Sequence, residues 1–442
     1  MQNQALIFLT LSAILILSAA SSVKVSVATN TGSATSDWSR VVLSAGSAVP
    51  PPRINPGMVF DPMDGYILLY GGWNNVSNYL SDSWIFSNDS WTQLNPSTNP
   101  GPRSDVSMAY DPGDGYVILY GGESSTGELN DSWSFQGGAW TRLLTTTTPP
   151  TREDASMVYD SADGYILLFG GANKAPSTNF HYYNDTWTYT AGRWTTMAST
   201  QAPTPRGAQR MAYDPATGYT VLFGGTTDYY SVNGGQSDTW KYQHGAWTQI
   251  FPSGSPDHRD NFGLAWDPAI AGALFYGGWD PAGTCGNEQN DTRIYRAESW
   301  RQLRPLNSPG ERASFGMDYD PTRGAMILFG GQENLGASPE AGCGTPVFLN
   351  DTWQFSLTST PINNPQNNPT LPSPPYLMYG IVGAVIAGGA TVGTYGWRSR
   401  SNGSKKPVPE ATKADLVCQK CGTILPEGSA FCGKCGQQIK PV

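Results

Sequence analysis

Four cysteines near the C-terminus carry the sharpest chemistry in this 442-residue chain. Cys418-x-x-Cys421 and Cys432-x-x-Cys435 are separated by ten residues, and Gly422, Gly433 and Gly436 follow three of them, where a knuckle must turn so that backbone amides face the sulfurs. Four thiolates in two such turns make the tetrahedral, soft environment that zinc prefers, and a reducing compartment keeps them available. The simplest role for the metal is to fold residues 416–438, a segment too small to build its own core. A docking surface for a cytoplasmic partner or for nucleic acid is the alternative.

A second set of charged residues recurs along the chain. Arg53, Arg103, Arg152, Arg206, Arg259 and Arg312 each precede a short alternating segment, and each lies 18 residues before a double glycine, at 71/72, 121/122, 170/171, 224/225, 277/278 and 330/331. Such a period, 49 to 54 residues, marks a unit that stacks on copies of itself to bury its apolar faces. The second copy is the fullest: Arg103, Met108, Tyr110-Asp111-Pro112, Asp114-Gly115-Tyr116, Gly121-Gly122, Asn130-Asp131, Trp133 and Trp140. Its segments read as four strands, a to d. Asp105 to Tyr110 alternates, Asp111 to Gly115 is turn chemistry, Tyr116 to Tyr120 is a continuous apolar run, and Asp131 to Phe135 and Ala139 to Leu143 flank a Gly-Gly turn. The aspartates that open the a–b turns (Asp61, Asp111, Asp160, Asp214, Asp267, Asp320) fit ordinary hairpin chemistry, with calcium binding as the alternative.

This unit resembles the kelch repeat, in which each copy is one four-stranded blade of a β-propeller. The resemblance spans roughly 320 of the 442 residues and implies an all-β, six-bladed kelch-type β-propeller over residues 37–357. The sixth copy lacks a d strand after Trp353. Asp37 to Val42, with Trp38, has the form of that strand and is expected to close the ring from the other end, leaving no free sheet edge. Blade five is expected to depart from the pattern by carrying Ile294 in place of the strand-c tryptophan.

In such a blade the d–a and b–c loops share one face, so the six arginines are expected around one mouth of the channel. Residues two apart share a strand face, which adds Asn55, Asp105, Asp154, Ala208, Asn261 and Ser314, then Gly57, Ser107, Ser156, Arg210, Gly263 and Gly316, as a polar channel lining. The opposite parity, including Met58, Met108, Met157 and Met211, reads as inter-blade core. The candidate ligand site is therefore Arg53, Arg103, Arg152, Arg206, Arg210, Arg259, Arg312, Asp105, Asp154 and Asn261, under loops bearing Trp73, Tyr79, Phe180, Tyr182, Tyr183, Tyr229 and Trp279. Cross-linking of blades by the arginines is the competing reading.

Two apolar segments bear on compartment. Residues 1–22 read as a signal peptide or an uncleaved anchor. Residues 376–397 are uncharged and begin and end in Tyr376 and Trp397, the form of a transmembrane helix. Its Gly389 to Gly393 stretch matches a dimerisation pattern. Arg398, Arg400, Lys405 and Lys406 in the basic linker 398–415 place the C-terminus in the cytoplasm, so the propeller is expected to be extracellular on a Pro/Asn-rich stalk, residues 358–375, of a single-pass cell-membrane protein. Cys285 and Cys343, in neighbouring b–c loops, then read as a disulfide. Of 26 basic and 35 acidic residues, 17 and 32 fall in residues 37–375, an acidic balance that argues against nucleic acid as the propeller's partner.

These readings favour a non-enzymatic binding module for an extracellular protein or glycan ligand, with a zinc cofactor in the ribbon. The ribbon itself resembles short zinc ribbons appended to prokaryotic membrane proteins. The alternative is a carbohydrate-active enzyme or a copper oxidase, because galactose oxidase, a relative by resemblance, builds its copper site on a kelch propeller. With only His181, His244 and His258 in the chain, a two-histidine copper site would need residues from non-adjacent blades.

Overall fold

The computed structural model describes residues 35–74, 78–174, 180–229, 231, 233–280, 287–333 and 346–358, together with Leu416–Val417 and Ile424–Leu425. The expectations for residues 1–22 and 376–397, for Cys285 and Cys343, and for the four ribbon cysteines lie outside the described residues. Among those described, no helix is long and apolar enough to cross a membrane. Leu416–Val417 and Ile424–Leu425 pair as an antiparallel hairpin that brackets Cys418 and Cys421 in sequence.

Residues 35–358 form six four-stranded antiparallel sheets. Blade two is Ser107–Asp111, Tyr116–Tyr120, Ser132–Gln136 and Ala139–Leu143, and the others repeat it. Strand b is apolar throughout because both of its faces are buried. In blade one, Ile67 and Leu69 pack with Ala325, Ile327 and Phe329 of blade six, while Leu68 and Tyr70 pack with Val117 and Leu119 of blade two. Six such clusters, one at each blade junction, make up the core. No single blade could bury these faces alone.

Ring closure follows the expectation. Thr35–Arg40 pairs antiparallel with Thr352–Thr358 and supplies the d strand of blade six, with Trp38 opposite Phe355. Trp38 is fully buried, and its indole donates to Thr292 Oγ1 of blade five at 3.0 Å. Every d-strand tryptophan makes the same reach into the preceding blade, from Trp91 to Thr352, Trp140 to Ser83, Trp194 to Ser132, Trp247 to Thr186 and Trp300 to Thr239. The indole therefore orders the blades as well as filling space.

At the strand-c position of blade five the expectation is off by one residue. Arg293, not Ile294, stands where the other blades have tryptophan, and its Nε donates to Asp291 at 2.6 Å, as Trp133 Nε1 does to Asp131 at 2.7 Å. Ile294 is buried in the junction with blade six. The a–b turn aspartates are hairpin residues: Asp111 Oδ1 accepts from Gly113 N at 2.9 Å, with the same turn at Asp61, Asp160, Asp214, Asp267 and Asp320.

Candidate functional site

The six repeated arginines do not present their charge to the channel. Each is 3 % exposed or less, because it reaches into its own blade to the aspartate that precedes strand c. Arg152 Nη1 and Nη2 donate to the two carboxylate oxygens of Asp185 at 2.7 and 2.8 Å, and Nη1 also donates to Gly170 O at 2.8 Å. Arg53 pairs with Asp82, Arg103 with Asp131, Arg206 with Asp238 and Arg312 with Asp351. Burial pushes each of these carboxyls up, but the guanidinium and the strand-c indole outweigh it and hold them below the ordinary value. In blade five Arg293 occupies one oxygen of Asp291, and Arg259 is left with a longer contact of 3.3 Å to the other.

The arginine backbone completes the link. Its carbonyl accepts from the second glycine of the preceding blade, as in Gly122 N to Arg152 O at 2.9 Å. A Cβ on Gly121 would sit 2.6 Å from that same carbonyl, so this approach admits only glycine. Arg53, Arg103, Arg152, Arg206, Arg259 and Arg312 therefore link neighbouring blades through their backbone, while each guanidinium is paired inside its own blade.

Two residues after each arginine the chain enters the left-handed region. Asn55, Asp105, Asp154, Ala208, Asn261 and Ser314 have φ between 49° and 62°, and each N–H donates to the equivalent carbonyl of the preceding blade at 2.7 to 3.3 Å, closing a ring of six hydrogen bonds around the channel. Asn and Asp recur here because they tolerate this backbone conformation best among residues with a side chain. The next positions are small for packing reasons. A Cβ on Gly57 would meet Met108 of blade two at 2.2 Å, and one on Gly316 would meet Met58. Both faces of strand a are thus covered by neighbouring blades, and the channel is bounded by the strand edges, not by one parity of side chains.

What remains open is a cavity of about 340 Å³ along the six a strands, whose charged lining residues are Asp105, Asp154, Arg210 and Asp318. Arg210 is the exception in the small-residue column. Its Nη1 donates to the Gln209 carbonyl at 3.1 Å, and it sits within the field of Asp260. Asn261 belongs to the hydrogen-bonded ring but not to the cavity lining.

The mouth above this cavity is acidic. The residue after each arginine bridges the residue after each double glycine: Ser104 with Glu123, Glu153 with Ala172, Asp260 with Trp279. These bridges carry short b–c hairpins and bring Asp105, Glu123 and Glu153 together, with carboxylate oxygens within 4.8 Å of one another. Asp154 stands beside them and accepts from Tyr229 Oη at 2.7 Å. Burial, then Asp105, Asp154 and Glu123, push Glu153 up to about 11. Burial and Asp154 drive Asp105 well above the ordinary range, and burial and then Asp154 take Asp260 to about 8. Aromatic loops flank the acids: Phe180 and Tyr182 pack on Tyr229 with ring centroids 4.8 and 5.4 Å away, and Arg152 stacks on Tyr183 at 4.2 Å.

A carboxyl whose folded pKa exceeds its unfolded value holds its proton more tightly in the folded state. Its contribution to stability is full below the unfolded value and is lost as pH rises through the folded one. In buffer without divalent cations, the thermal midpoint should therefore fall as pH is raised from about 5 to about 8, and Asp260→Asn should flatten that slope. An unchanged slope in the variant would remove Asp260 from the account. The arginine-paired aspartates act oppositely, losing their contribution as pH drops below the unfolded value of about 3.8.

Glu123, Glu153 and Asp260 have no place among the candidate ligand residues read from the sequence. Reading the column that follows the double glycine (Trp73, Glu123, Ala172, Thr226, Trp279, Gln332) would have pointed to Glu123. The histidines do not converge. His181 packs against Tyr183, His244 Nδ1 lies 2.9 Å from Asp163 Oδ1 at a c–d turn, and the one described group of three or more metal-binding side chains contains no histidine.

Comparison with known families agrees with this geometry. A family model described as the KLHDC2/KLHL20/DRC7 Kelch-repeats domain matches residues 24–212, and a zinc-ribbon domain model matches residues 417–439. No curated protein matches the chain. The six-bladed propeller is thus similar over part of its length to a kelch-repeat domain, and residues 417–439 are similar to a zinc-ribbon domain; kelch propellers usually serve as binding modules.

Proposed function

We propose that the propeller is an interaction module that receives a protein partner at the mouth formed by the d–a and b–c loops, and that the partner presents a basic segment there. The observation that carries this is the state of the charges. The six repeated guanidiniums are buried in their own blades, whereas Asp105, Glu123, Glu153, Asp154 and Asp260 gather at one opening. Such a mouth favours lysine or arginine over an anionic ligand. Tyr79, Tyr182 and Trp73 at its rim are half-buried aromatics of the kind that anchor protein contacts.

The sequence supports an extracellular setting for this mouth, with residues 376–397 as the membrane anchor. Cys418, Cys421, Cys432 and Cys435 would hold a structural zinc on the cytoplasmic side, which a metal count on the full chain checks. Photo-crosslinking tests the assignment of the face. A crosslinker at exposed Thr126, on a b–c hairpin, should capture a partner protein in intact cells, whereas one at exposed His244, at the opposite end of the blades, should not. Capture from His244 alone would move the site to the other face.

A further inference from the structure

Asp105, Glu123 and Glu153 come from three separate backbone segments, the starts of strand a in blades two and three and the b–c hairpin of blade two, and each is held by backbone pairing. Asp105 belongs to the ring of six hydrogen bonds, Glu123 is bridged to Ser104, and Glu153 to Ala172. Their oxygens lie within 4.8 Å of one another, the span of opposite ligands on one calcium ion, which binds oxygens at about 2.3–2.6 Å.

An independent observation points to an occupant. Glu153 is 6 % exposed, and no N–H or O–H of the described residues donates to its carboxylate; Asp105 Oδ1 is likewise buried without a partner. Lys174, which stands 3.8 Å from Glu123, is half exposed and too solvated to neutralise the group. Asp154 and Glu128 add further negative charge. A buried, uncompensated carboxylate is costly unless it is paired or coordinates a metal.

We propose that Asp105, Glu123 and Glu153 bind a hard divalent cation, calcium in preference to magnesium, clasped between blades two and three. An all-oxygen ligand set selects hard cations over zinc or copper. Magnesium, with bonds of about 2.0–2.1 Å and tightly held water, fits a spread of this size less well. The cation would use three of the carboxylates at the proposed mouth, leaving Asp154 and Asp260 to face a basic segment, and it would fix the relative position of the two hairpins there.

The test uses the full chain in mild detergent, where the thiolates of the ribbon do not compete for hard cations. Calcium at a hundredfold excess over its Kd should raise the propeller's thermal midpoint, read by tryptophan fluorescence, by about 2–5 °C. Terbium should show sensitised emission that calcium displaces. Glu153→Gln and Glu123→Gln should each abolish both signals, while Asp163→Asn on the opposite face should keep them. Glu123 is partly exposed, so its variant decides the matter if Glu153→Gln folds poorly. Absence of both signals in the wild type, or their survival in both Gln variants, would overturn the site.

Discussion

Asp185→Ala is expected to cost about 3–5 kcal/mol, because it leaves the guanidinium of Arg152 buried without its counter-charge. Arg152 has no access to water, and its two bonds to Asp185 are the charge-assisted pair that makes its burial tolerable. The same change also strips the indole of Trp187 of its acceptor. Removing both charges should be milder than removing one. Arg152→Met combined with Asp185→Ala should recover a measurable part of the loss, since an apolar pair no longer carries a desolvated ion. Urea denaturation of the single and double variants measures this, and a single variant within about 0.5 kcal/mol of wild type would mean that the pair contributes as little as a surface salt bridge.

Trp38→Ala should be comparably severe, at about 3–5 kcal/mol. The side chain is fully buried, packs on Tyr276 and Phe355 with centroids 4.7 and 5.2 Å away, and makes the one indole bond by which the closing strand reaches blade five. Deleting residues 35–40 goes further, because it exposes the edge of Thr352–Thr358 for pairing with another chain. The deletion variant should show a lower thermal midpoint and concentration-dependent association by light scattering. A monomeric variant of unchanged midpoint would show that the ring is held by blade packing without this strand.

Most of the fold was legible because the repeat states it six times. Even the closing strand could be inferred, since Trp38 supplied the aromatic that the sixth copy lacks. The roles of the arginines were harder to read. A column of arginines in a sequence shows recurrence without direction, and its partner, the aspartate before strand c, lies about thirty residues away. Both columns recur in every copy, so the pairing was present but unmarked. Parity told only part of the lining: Asn55, Gly57, Asp105, Ser107, Asp154, Ser156, Arg210 and Gly316 border the cavity, but so do Met58, Met108, Met157 and Met211, because both faces of strand a meet neighbouring blades and small residues such as Gly57 also seat the next blade's methionine. The acidic cluster breaks the repeat. Glu123 stands at a column where the other blades carry Trp, Ala, Thr or Gln, and Glu153 at one where only blade five also has an acid, Asp260; only the closure of blade two on blade three brings their carboxylates together.

The central claim, that an acidic mouth recognises a basic segment, is tested most directly by titrating the full chain with a lysine- and arginine-rich peptide and with its glutamate-substituted counterpart. The account predicts binding of the basic peptide alone, weakening as salt is raised, and about tenfold weaker for Asp154→Asn, which lies outside the proposed cation ligands. Equal binding of both peptides, or binding indifferent to salt and to Asp154→Asn, would contradict it.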